Sequence, residues 1–324
     1  MKKSLIALAV LGAAAGAAQA QSAVTLYGIV DLWTGRVSTT DAAGVKTNNT
    51  VMESGGVSGS RWGLKGSEDL GGGLKAVFNI ESGFSADTGA GNGGPNRQTY
   101  LGLAGGFGTV TFGNVYSAMD DVLGASNSGF DSALSASQTV LAVPALYNDK
   151  PKNAFKYVSP SFGGFSGGFT YSLDENTAAK KNQTDFSVSY GAGPIAANFA
   201  YEVQGDASGS DDLKLTALNG SYDLGVAKLL ASYGQAKLAG DKATDFQFGA
   251  DIPLSSALTL SAGVTQSKDK GSSAEKRTGF GVAAAYGLSK RTTAYGGFRS
   301  SKGKEAGATT FKANVFAVGL KHTF

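Results

Sequence analysis

Residues 258–265 read Leu-Thr-Leu-Ser-Ala-Gly-Val-Thr, so that a more apolar side chain and a small or polar one alternate at every step. The same period of two recurs at residues 316–324 and, less cleanly, at residues 24–32. Successive side chains of a β-strand point to opposite faces, so this pattern predicts strands with one apolar and one polar face. No stretch after residue 20 shows convincing apolar spacing of three and four over three turns, and helix is expected to be minor.

The connections between these predicted strands alternate in length. Tight turns stand at residues 69–73, 105–108, 191–194, 222–225 and 288–290. Longer polar links occupy residues 85–96, 174–184, 205–211, 237–244, 268–276 and 300–308. Short turns at one end and longer loops at the other are typical of β-barrels in bacterial outer membranes.

The segments between these connections give the predicted fold. They suggest sixteen strands at roughly residues 23–37, 58–68, 74–84, 97–104, 107–115, 153–159, 164–173, 184–191, 194–204, 212–222, 225–236, 243–252, 257–267, 276–287, 290–300 and 309–324. An even count suits a single-chain bacterial barrel. We therefore predict an all-β fold, a transmembrane antiparallel β-barrel of about 16 strands. A soluble β-sandwich is the alternative, but it needs large apolar side chains on the face where this chain has Thr, Ser, Gly, Lys and Asp.

The N-terminus predicts export from the cytoplasm. Lys2 and Lys3 precede an apolar run up to Ala18, and Ala18-Gln19-Ala20 fits a small-x-small cleavage site, as in a secretory signal peptide. Residues 1–20 are thus expected to be removed, which leaves residues 21–324 as a single barrel domain. Losing both lysines lowers the formal charge from +3 to +1, too little to indicate a nucleic-acid partner. Neither a cofactor nor a metal site is expected.

A series of motifs spans the predicted mature chain. Val24-Thr25-Leu26-Tyr27-Gly28 opens it, and residues 60–76 continue it as SRWGLKGSEDLGGGLKA. Asn96-Arg97-Gln98, residues 157–160 (YVSP) and residues 288–292 (LSKRT) follow, and Val318-Gly319-Leu320-Lys321-His322-Thr323-Phe324 ends the chain. In this order the motifs resemble the general porins of Gram-negative bacteria, of the β-proteobacterial type. The resemblance implies an outer-membrane channel for passive diffusion of small hydrophilic solutes and ions, a homotrimer, and a long third external loop folded into the pore.

The resemblance also implies roles for particular residues. Arg61, Arg97 and Lys152 match the basic side of the family's pore constriction. The family often has arginine at the positions of Asn114 and Lys152, so a weaker basic side is expected here. Phe324 is implied to be an assembly signal that the barrel-insertion machinery reads. Subunits are implied to meet near the first and last strands, at Leu26, Val30, Phe78, Tyr100 and Phe324.

Alternation alone predicts which further side chains face inward. Outward Trp62 and Leu64 turn Lys65 inward, in step with Arg61. On the third predicted strand, outward Phe78 and Ile80 turn Lys75 and Glu81 inward. On the fourth, outward Tyr100 turns Arg97 inward. On the sixth, outward Phe155 and Tyr157 turn Lys152 and Lys156 inward. The basic side is therefore predicted to comprise Arg61, Arg97, Lys152, Lys65, Lys75 and Lys156.

The segment from Ser117 to Pro151 is too long for a hairpin, and long loops in compact folds usually have a function. We predict that it supplies the acidic side of the constriction through Asp120, Asp121 and Asp131, together with Glu81 of the barrel wall. Six cations against four carboxylates suggest a moderate anion preference. A mobile external loop is the alternative.

Other functional classes have weaker support. A surface adhesin or receptor that binds ligands through its external loops is the second hypothesis, although the loops lack an aromatic cluster. Residues 89–94 fit G-x-G-x-x-G, but Pro95 and a strand follow instead of a helix. His322 is the single histidine and stands beside the terminus, so we expect no enzyme. The expected partners are outer-membrane lipid and lipopolysaccharide.

Overall fold

A computed structural model describes residues 23–91, 94–173, 182–205, 211–271 and 274–324. The predicted signal peptide, residues 1–20, lies outside them. The described chain is mostly antiparallel strand. The strands are β1 (Ala23–Thr40), β2 (Lys46–Ser54), β3 (Arg61–Gly71), β4 (Leu74–Gly83), β5 (Thr99–Gly105), β6 (Gly108–Asn114), β7 (Ala154–Val158), β8 (Phe165–Ser172), β9 (Gln183–Ala192), β10 (Ile195–Gln204), β11 (Leu213–Asp223), β12 (Lys228–Leu238), β13 (Asp241–Pro253), β14 (Leu258–Lys270), β15 (Lys276–Gly287), β16 (Thr292–Glu305) and β17 (Ala308–Thr323).

The sheet closes on itself, because β17 pairs with β1. On its other side, β1 pairs with two strands in succession. Residues 32–40 pair with β2, and residues 23–29 pair with β3. The 17 strands of the sheet therefore fill sixteen positions around the ring. This arrangement confirms the predicted antiparallel barrel and its even number of strands.

Strand β2 was not expected from the sequence, which left residues 38–57 as a connection. It contains Thr47-Asn48-Asn49-Thr50, which has no apolar alternation and a low intrinsic preference for strands. Most of its residues are exposed, so burial places little demand on its side chains. The strand forms because backbone pairing with the outer end of β1 satisfies its amide groups.

Several strands at the loop end are longer than predicted. The polar links expected at 237–244 and 300–308 prove to be two-residue turns, Ala239-Gly240 and Ala306-Gly307. All four residues have positive φ, between 47° and 89°, which is the backbone of the tight turns that suit hairpins. Strands β12, β13, β16 and β17 therefore carry their side-chain alternation beyond the predicted ends.

The outward face of the barrel is apolar. Phe248, Val264 and Phe316 are 60%, 56% and 55% exposed, whereas the intervening Gln247 and Thr265 are 0% and 5% exposed. This apolar exterior with a mostly polar interior is that of a transmembrane barrel. No helix in the described part of the chain is long and apolar enough to cross a membrane.

Candidate functional site

The longest connection within the described ranges joins β6 to β7 and is named here the 115–153 segment. It contains α1 (Asp120–Leu123), α2 (Ser137–Val140) and α3 (Val143–Leu146), with 3-10 turns at Gly124–Ser126 and Gly129–Asp131. These elements contact strands β9 to β12 and β14 to β16. They touch the face of those strands that is opposite to the exposed apolar side chains.

Three buried carboxylates on the strands hold the backbone of this segment. Asp185 of β9 accepts hydrogen bonds from the Ala118 and Met119 amides, at 2.6 and 3.1 Å. Asp245 of β13 accepts one from Val143 N at 2.8 Å. Glu202 of β10 does the same for the Asn148 amide at 3.1 Å. All three are at most 2% exposed and stand near the loop ends of their strands, so they fasten the segment at both of its ends.

Neutral side chains hold the middle of the segment. Asn219 Nδ2 donates to the Val122 carbonyl at 2.5 Å, and Gln247 Nε2 donates to the Ser126 carbonyl at 2.6 Å. Ser261 Oγ accepts from the Gly129 amide at 2.7 Å. These contacts follow the segment across β11, β13 and β14.

Apolar packing supports the same contact. Met119, Val122 and Val143 are fully buried against Ala200 and Leu215, which point inward from β10 and β11. A polar inward face was expected from the sequence, but the part of that face beneath the 115–153 segment is apolar. Leu215 is a core residue beneath the segment, where a water-lined wall would require a polar side chain.

Arg61 and Arg97 converge on one buried carboxylate, Glu81 of β4. Their Nε atoms lie 3.4 and 2.7 Å from its two carboxylate oxygens, and the Glu81 side chain is only 5% exposed. Glu81 was expected from the sequence on an acidic side that faces these arginines, but it lies between the two guanidinium groups and belongs to the basic side. Since two guanidinium groups share one carboxylate, the cluster retains one net positive charge.

A bulge explains how Arg97 reaches this cluster. The Arg97 amide donates to the Glu81 carbonyl, while the Glu81 amide donates to the Gln98 carbonyl, so two residues oppose one. Leu101 is 63% exposed and faces outward. Tyr100 therefore faces inward, beside its pairing partner Asn79, and the expectation that Tyr100 faces outward is wrong. The extra residue resets the alternation, which is why Arg97 still points inward.

The 115–153 segment meets this cluster through Tyr116. The Arg97 guanidinium donates a hydrogen bond to the Tyr116 hydroxyl. Lys150 Nζ lies 5.1 Å from the centre of the same ring and is paired with Asp149. Burial raises the pKa of the Tyr116 phenol, Arg97 lowers it, and Glu81 and Asp120 raise it further. Lys150 was not singled out from the sequence, because alternation in the strands carries no information about loop side chains.

The other predicted basic residues are dispersed. Lys156 Nζ is 2.7 Å from Asp121 of α1, so these two charges neutralise each other. Lys65 Nζ lies 5.0 Å from the centre of the Tyr27 ring. Lys152 is exposed and precedes Asn153, whose φ of 52° interrupts strand geometry.

Lys75 does not join the Glu81 cluster, although both residues belong to β4. It stands at the short-turn end, and six residues along the strand separate it from Glu81, which corresponds to about 20 Å.

The remaining loop carboxylates accept hydrogen bonds from other side chains of the segment. Asp120 accepts a hydrogen bond from the Tyr147 hydroxyl at 2.8 Å. Burial raises the pKa of Asp120 to about 6; the Tyr147 hydrogen bond lowers it, and Asp149 and Asp121 raise it further. Asp131 accepts hydrogen bonds from Asn127 and Gln138, and burial raises its pKa as well. Asp120 therefore changes charge close to neutral pH.

Two features near β1 complete the wall. Asp31 is fully buried and accepts the amides of Gly56, Val57 and Ser58 at 3.2, 2.9 and 2.8 Å, so it shapes the link between β2 and β3. Phe324 exchanges two backbone hydrogen bonds of 3.1 Å with Gly28. The Phe324 ring covers Gly28 so closely that a Cβ there would lie 2.3 Å from it.

The structurally decisive residues that the sequence analysis missed are Asp31, Asp185, Glu202 and Asp245. A usable signal exists, because each is an acidic residue on the inward face of a strand, and Asp185, Glu202 and Asp245 also stand near the loop ends of their strands. Their partners are backbone amides distant in sequence, and no pattern specifies those. Within the described ranges, no group of three or more acidic or histidine side chains is arranged to hold a metal ion.

Comparison with known proteins gives consistent matches along the whole chain. A family model described as Gram-negative porin matches residues 7–306. Outer membrane porin protein 32 of Delftia acidovorans is 35% identical over 342 residues, which cover 99% of this chain and 95% of that protein.

Solved structures agree with these sequence matches. An anion-selective porin from Comamonas acidovorans has a TM-score of 0.80 and 28% identity, covering 94% of this chain and all of that one. A trimer form of OmpT, an outer membrane protein of Vibrio cholerae, has a TM-score of 0.70, covering 94% and 99% of the two chains. Its 18% identity limits that likeness to the fold.

Proposed function

Because this chain belongs to the Gram-negative porin family, we propose that it forms a water-filled channel in the outer membrane, with a moderate preference for anions. Small hydrophilic solutes and ions diffuse through it passively. The observation that carries the proposal is a closed barrel whose inward face holds two arginines on a single carboxylate. Positive charge in a narrow waterway attracts anions and repels cations.

The 115–153 segment is proposed to narrow this channel. Its attachments lie mainly on β9 to β16, whereas Arg61 and Arg97 belong to the wall at β3 to β5. Strands β4 and β11 are close to half a turn apart in the order around the ring. Beyond its contact at Tyr116, the segment would therefore face the arginines across the lumen, with Asp120 on the segment and the Glu81 cluster on the wall.

Charge pairing supports a moderate preference and not a strong one. Lys156 is neutralised by Asp121, and Lys150 is paired with Asp149. The Glu81 cluster keeps one net positive charge, and the raised pKa of Asp120 weakens the negative side. The selectivity named for the Comamonas porin has the same sign.

Single-channel recording of the purified protein in planar bilayers tests this function. We expect stepwise ohmic conductance. In a gradient of potassium chloride, the sign of the zero-current potential should show that chloride is more permeable than potassium. A membrane that stays sealed at high protein concentration would refute the channel. A zero-current potential on the cation side would refute the anion preference.

Assembly is proposed to follow the family pattern, as a homotrimer formed after removal of residues 1–20. The native mass in mild detergent and the N-terminal sequence of the mature protein test both statements. A monomer, or a mature chain that begins at Met1, would contradict them.

Phe324 is proposed to serve as the signal for the barrel-insertion machinery. Its hydrogen bonds to Gly28 also close the barrel, so both roles predict that deleting it lowers the amount of assembled protein. Refolding of the deleted chain in detergent separates them, because that medium contains no machinery. Normal refolding with poor assembly in cells supports the signal.

A further inference from the structure

A hollow lies between α3 of the 115–153 segment and the wall at the loop end of β11 to β15, and is named here the vestibule pocket. Its volume is about 300 Å³. Four alanines line it, two from the segment and two from the wall: Ala142, Ala145, Ala236 and Ala243. Because the side chain of alanine is a single methyl group, helix and wall enclose a space that larger side chains would fill.

Leucines complete the apolar part of the vestibule pocket. Leu213 of β11, Leu238 of β12 and Leu146 of α3 belong to its lining. Leu146 and Leu238 are 46% and 47% exposed, so the pocket is open to water. The inside of a transmembrane barrel is generally polar, whereas binding sites for small molecules are concave and mostly apolar, with a few polar groups that fix orientation. The vestibule pocket has the second character.

The vestibule pocket belongs to the inside of the barrel. Leu213 alternates in step with buried Leu215, and Ala243 alternates in step with buried Asp245. Asp245 accepts a hydrogen bond from the amide of Val143 at 2.8 Å, which holds α3 against this face. Solutes that enter from the loop end of the barrel therefore meet the pocket beside the 115–153 segment.

One end of the vestibule pocket carries charges of both signs. Arg277 of β15 and Asp269 of β14 line this end, with Arg277 Nη2 2.8 Å from Asp269 Oδ1. Glu275 lies behind them, with Oε2 3.7 Å from Arg277 Nε. The side chains of Arg277 and Asp269 are about one-fifth exposed, so both remain accessible. Asp241 also borders the pocket.

Three lysines border the same pocket but do not add charge inside it. They are Lys237, Lys242 and Lys270. Alternation along β12, β13 and β14 directs their side chains to the outer face, as it does for exposed Phe246 and Val264. The charges that face the pocket are therefore those of the guanidinium and the carboxylates.

The combination of charges and apolar lining selects one chemical class. Asp269 repels a simple anion placed at Arg277, and Arg277 repels a simple cation placed at Asp269, because the two groups are in hydrogen-bond contact. A zwitterion avoids both repulsions, since its carboxylate can face the guanidinium while its ammonium faces the carboxylate. An apolar tail on the same molecule would lie between the leucines and alanines.

We propose that the vestibule pocket binds α-amino acids with apolar side chains. The α-carboxylate faces Arg277, the α-ammonium faces Asp269, and the side chain lies between α3 and strands β11 to β13. Such a site concentrates solutes with an apolar part at the entrance of a channel whose remaining lumen favours hydrophilic ones. The effect on permeation rests on the proposed function, whereas the binding does not.

Equilibrium dialysis of radiolabelled amino acids against the purified protein tests the apolar lining. Leucine and asparagine have nearly the same size and the same charges, so they differ in the polarity of the side chain alone. We expect leucine to bind on the order of tenfold more tightly, because its side chain leaves water. The pocket variant, Leu146→Asn with Leu238→Asn, should lose most of this difference.

A matched control uses leucines of similar exposure at the short turns. Leu224→Asn with Leu288→Asn makes the same chemical change at the other end of the barrel, and should bind leucine as the parent does. Equal binding of leucine and asparagine by the parent would overturn the proposal. Equal binding of leucine by the parent and the pocket variant would overturn it as well.

Two analogues of leucine test the charged end of the pocket. Isocaproate lacks the ammonium group and isopentylamine lacks the carboxylate, while both keep the branched tail. Each should displace labelled leucine several-fold more weakly than unlabelled leucine does. If either analogue competes as well as leucine, the pocket does not recognise a zwitterion and the proposal fails.

Permeation through protein reconstituted in liposomes separates this inference from the proposed function. At low solute concentration, the ratio of leucine to asparagine uptake should be lower for the pocket variant than for the parent, while chloride conductance stays the same. An unchanged ratio would contradict a role of the pocket in permeation. If the parent forms no channel, the proposed function fails and the dialysis result stands; if it conducts but binds no leucine, this inference alone fails.

Discussion

Two parts of the inner wall use the same type of residue for different purposes. On β9, β10 and β13, buried Asp185, Glu202 and Asp245 accept backbone amides of the 115–153 segment. On β4, buried Glu81 accepts two arginines instead. The wall at β9 to β13 therefore anchors the 115–153 segment. The wall at β4 carries the positive charge that attracts anions. Inward alternation brings an acidic residue to the lumen, but the partner that reaches it decides its role.

The largest effect on stability and conductance is expected when the attachment of the 115–153 segment to the wall is removed. The double variant Asp185→Ala, Asp245→Ala leaves the buried Met119 and Val143 amides without acceptors, at about 1–3 kcal/mol for each lost partner. We expect a lower midpoint of chemical unfolding and a larger, noisier single-channel conductance. Asp223→Ala, at an exposed turn, is the control and should match the parent. Parent-like conductance of the double variant would show that the segment does not depend on these carboxylates.

The next effect concerns the wall that carries charge. The variant Arg61→Ala, Arg97→Ala changes the Glu81 cluster from one net positive to one net negative charge. A unit charge at 4 Å in water-like dielectric contributes about 1 kcal/mol, so the ratio of anion to cation permeability should fall several-fold. Zero-current potentials in a salt gradient measure this permeability ratio. Adding Glu81→Gln to the double variant removes the remaining negative charge, and the ratio should then lie between those of the parent and the double variant.

Salt concentration provides a check on the same variant. The Debye length falls from about 10 Å at 0.1 M to about 3 Å at 1 M, so the shift should shrink at high salt. An unchanged potential at low salt would mean that these arginines do not lie at the narrowest part of the channel.

A smaller effect is expected from pH, because it alters one charge on the segment. Burial raises the pKa of Asp120 to about 6, from an ordinary value of 3.8. Lowering the pH from 7.5 to 5 should protonate it and increase the anion preference. Asp120→Asn should raise the anion preference at pH 7.5 toward the acidic-pH value and reduce this dependence. The pKa of Asp120 is higher in the folded protein than in the unfolded chain. Ionisation of Asp120 should therefore lower the free energy of unfolding as pH rises from 3.8 to about 6.

The smallest effect should come from Lys75, which shares strand β4 with Glu81 but lies near the short turns. Lys75→Gln removes one positive charge, as Arg97→Gln does, so the two variants form a matched pair. We expect the zero-current potential to shift much less for Lys75→Gln than for Arg97→Gln. An ion in the narrow region is farther from residue 75, and solvent screens the charge there. Equal shifts would indicate that selectivity is spread along the whole lumen.

The fold could be predicted well from the sequence, because the apolar side chains of a transmembrane strand must all face lipid. That constraint does not extend to β2, whose polar residues are largely exposed and whose pairing depends only on the backbone of β1. It also fails at strand ends, where two-residue turns at Gly240 and Gly307 replaced the expected loops.

The candidate site could be predicted only in part. Alternation identified Arg61 and Glu81 as inward, but it could not show that they are partners and not opponents. One inserted residue beside Glu81 reversed the facing of Tyr100 while leaving Arg97 inward. The attachments of the 115–153 segment join residues far apart in sequence, such as Val143 and Asp245, and local pattern carries no record of such pairs.

The seam between β1 and β17 has a consequence for how the barrel can form. Residues 29–40 pair with residues 312–323, so the contact that seals the ring joins two ends of the polypeptide. Contacts of this sequence separation give a high contact order and slow folding. Until residue 324 is available, both edges of the sheet keep unpaired amides that can capture another chain. Closure therefore has to wait for β17, and until then the open edges of β1 and of the growing sheet must be kept from pairing with other chains.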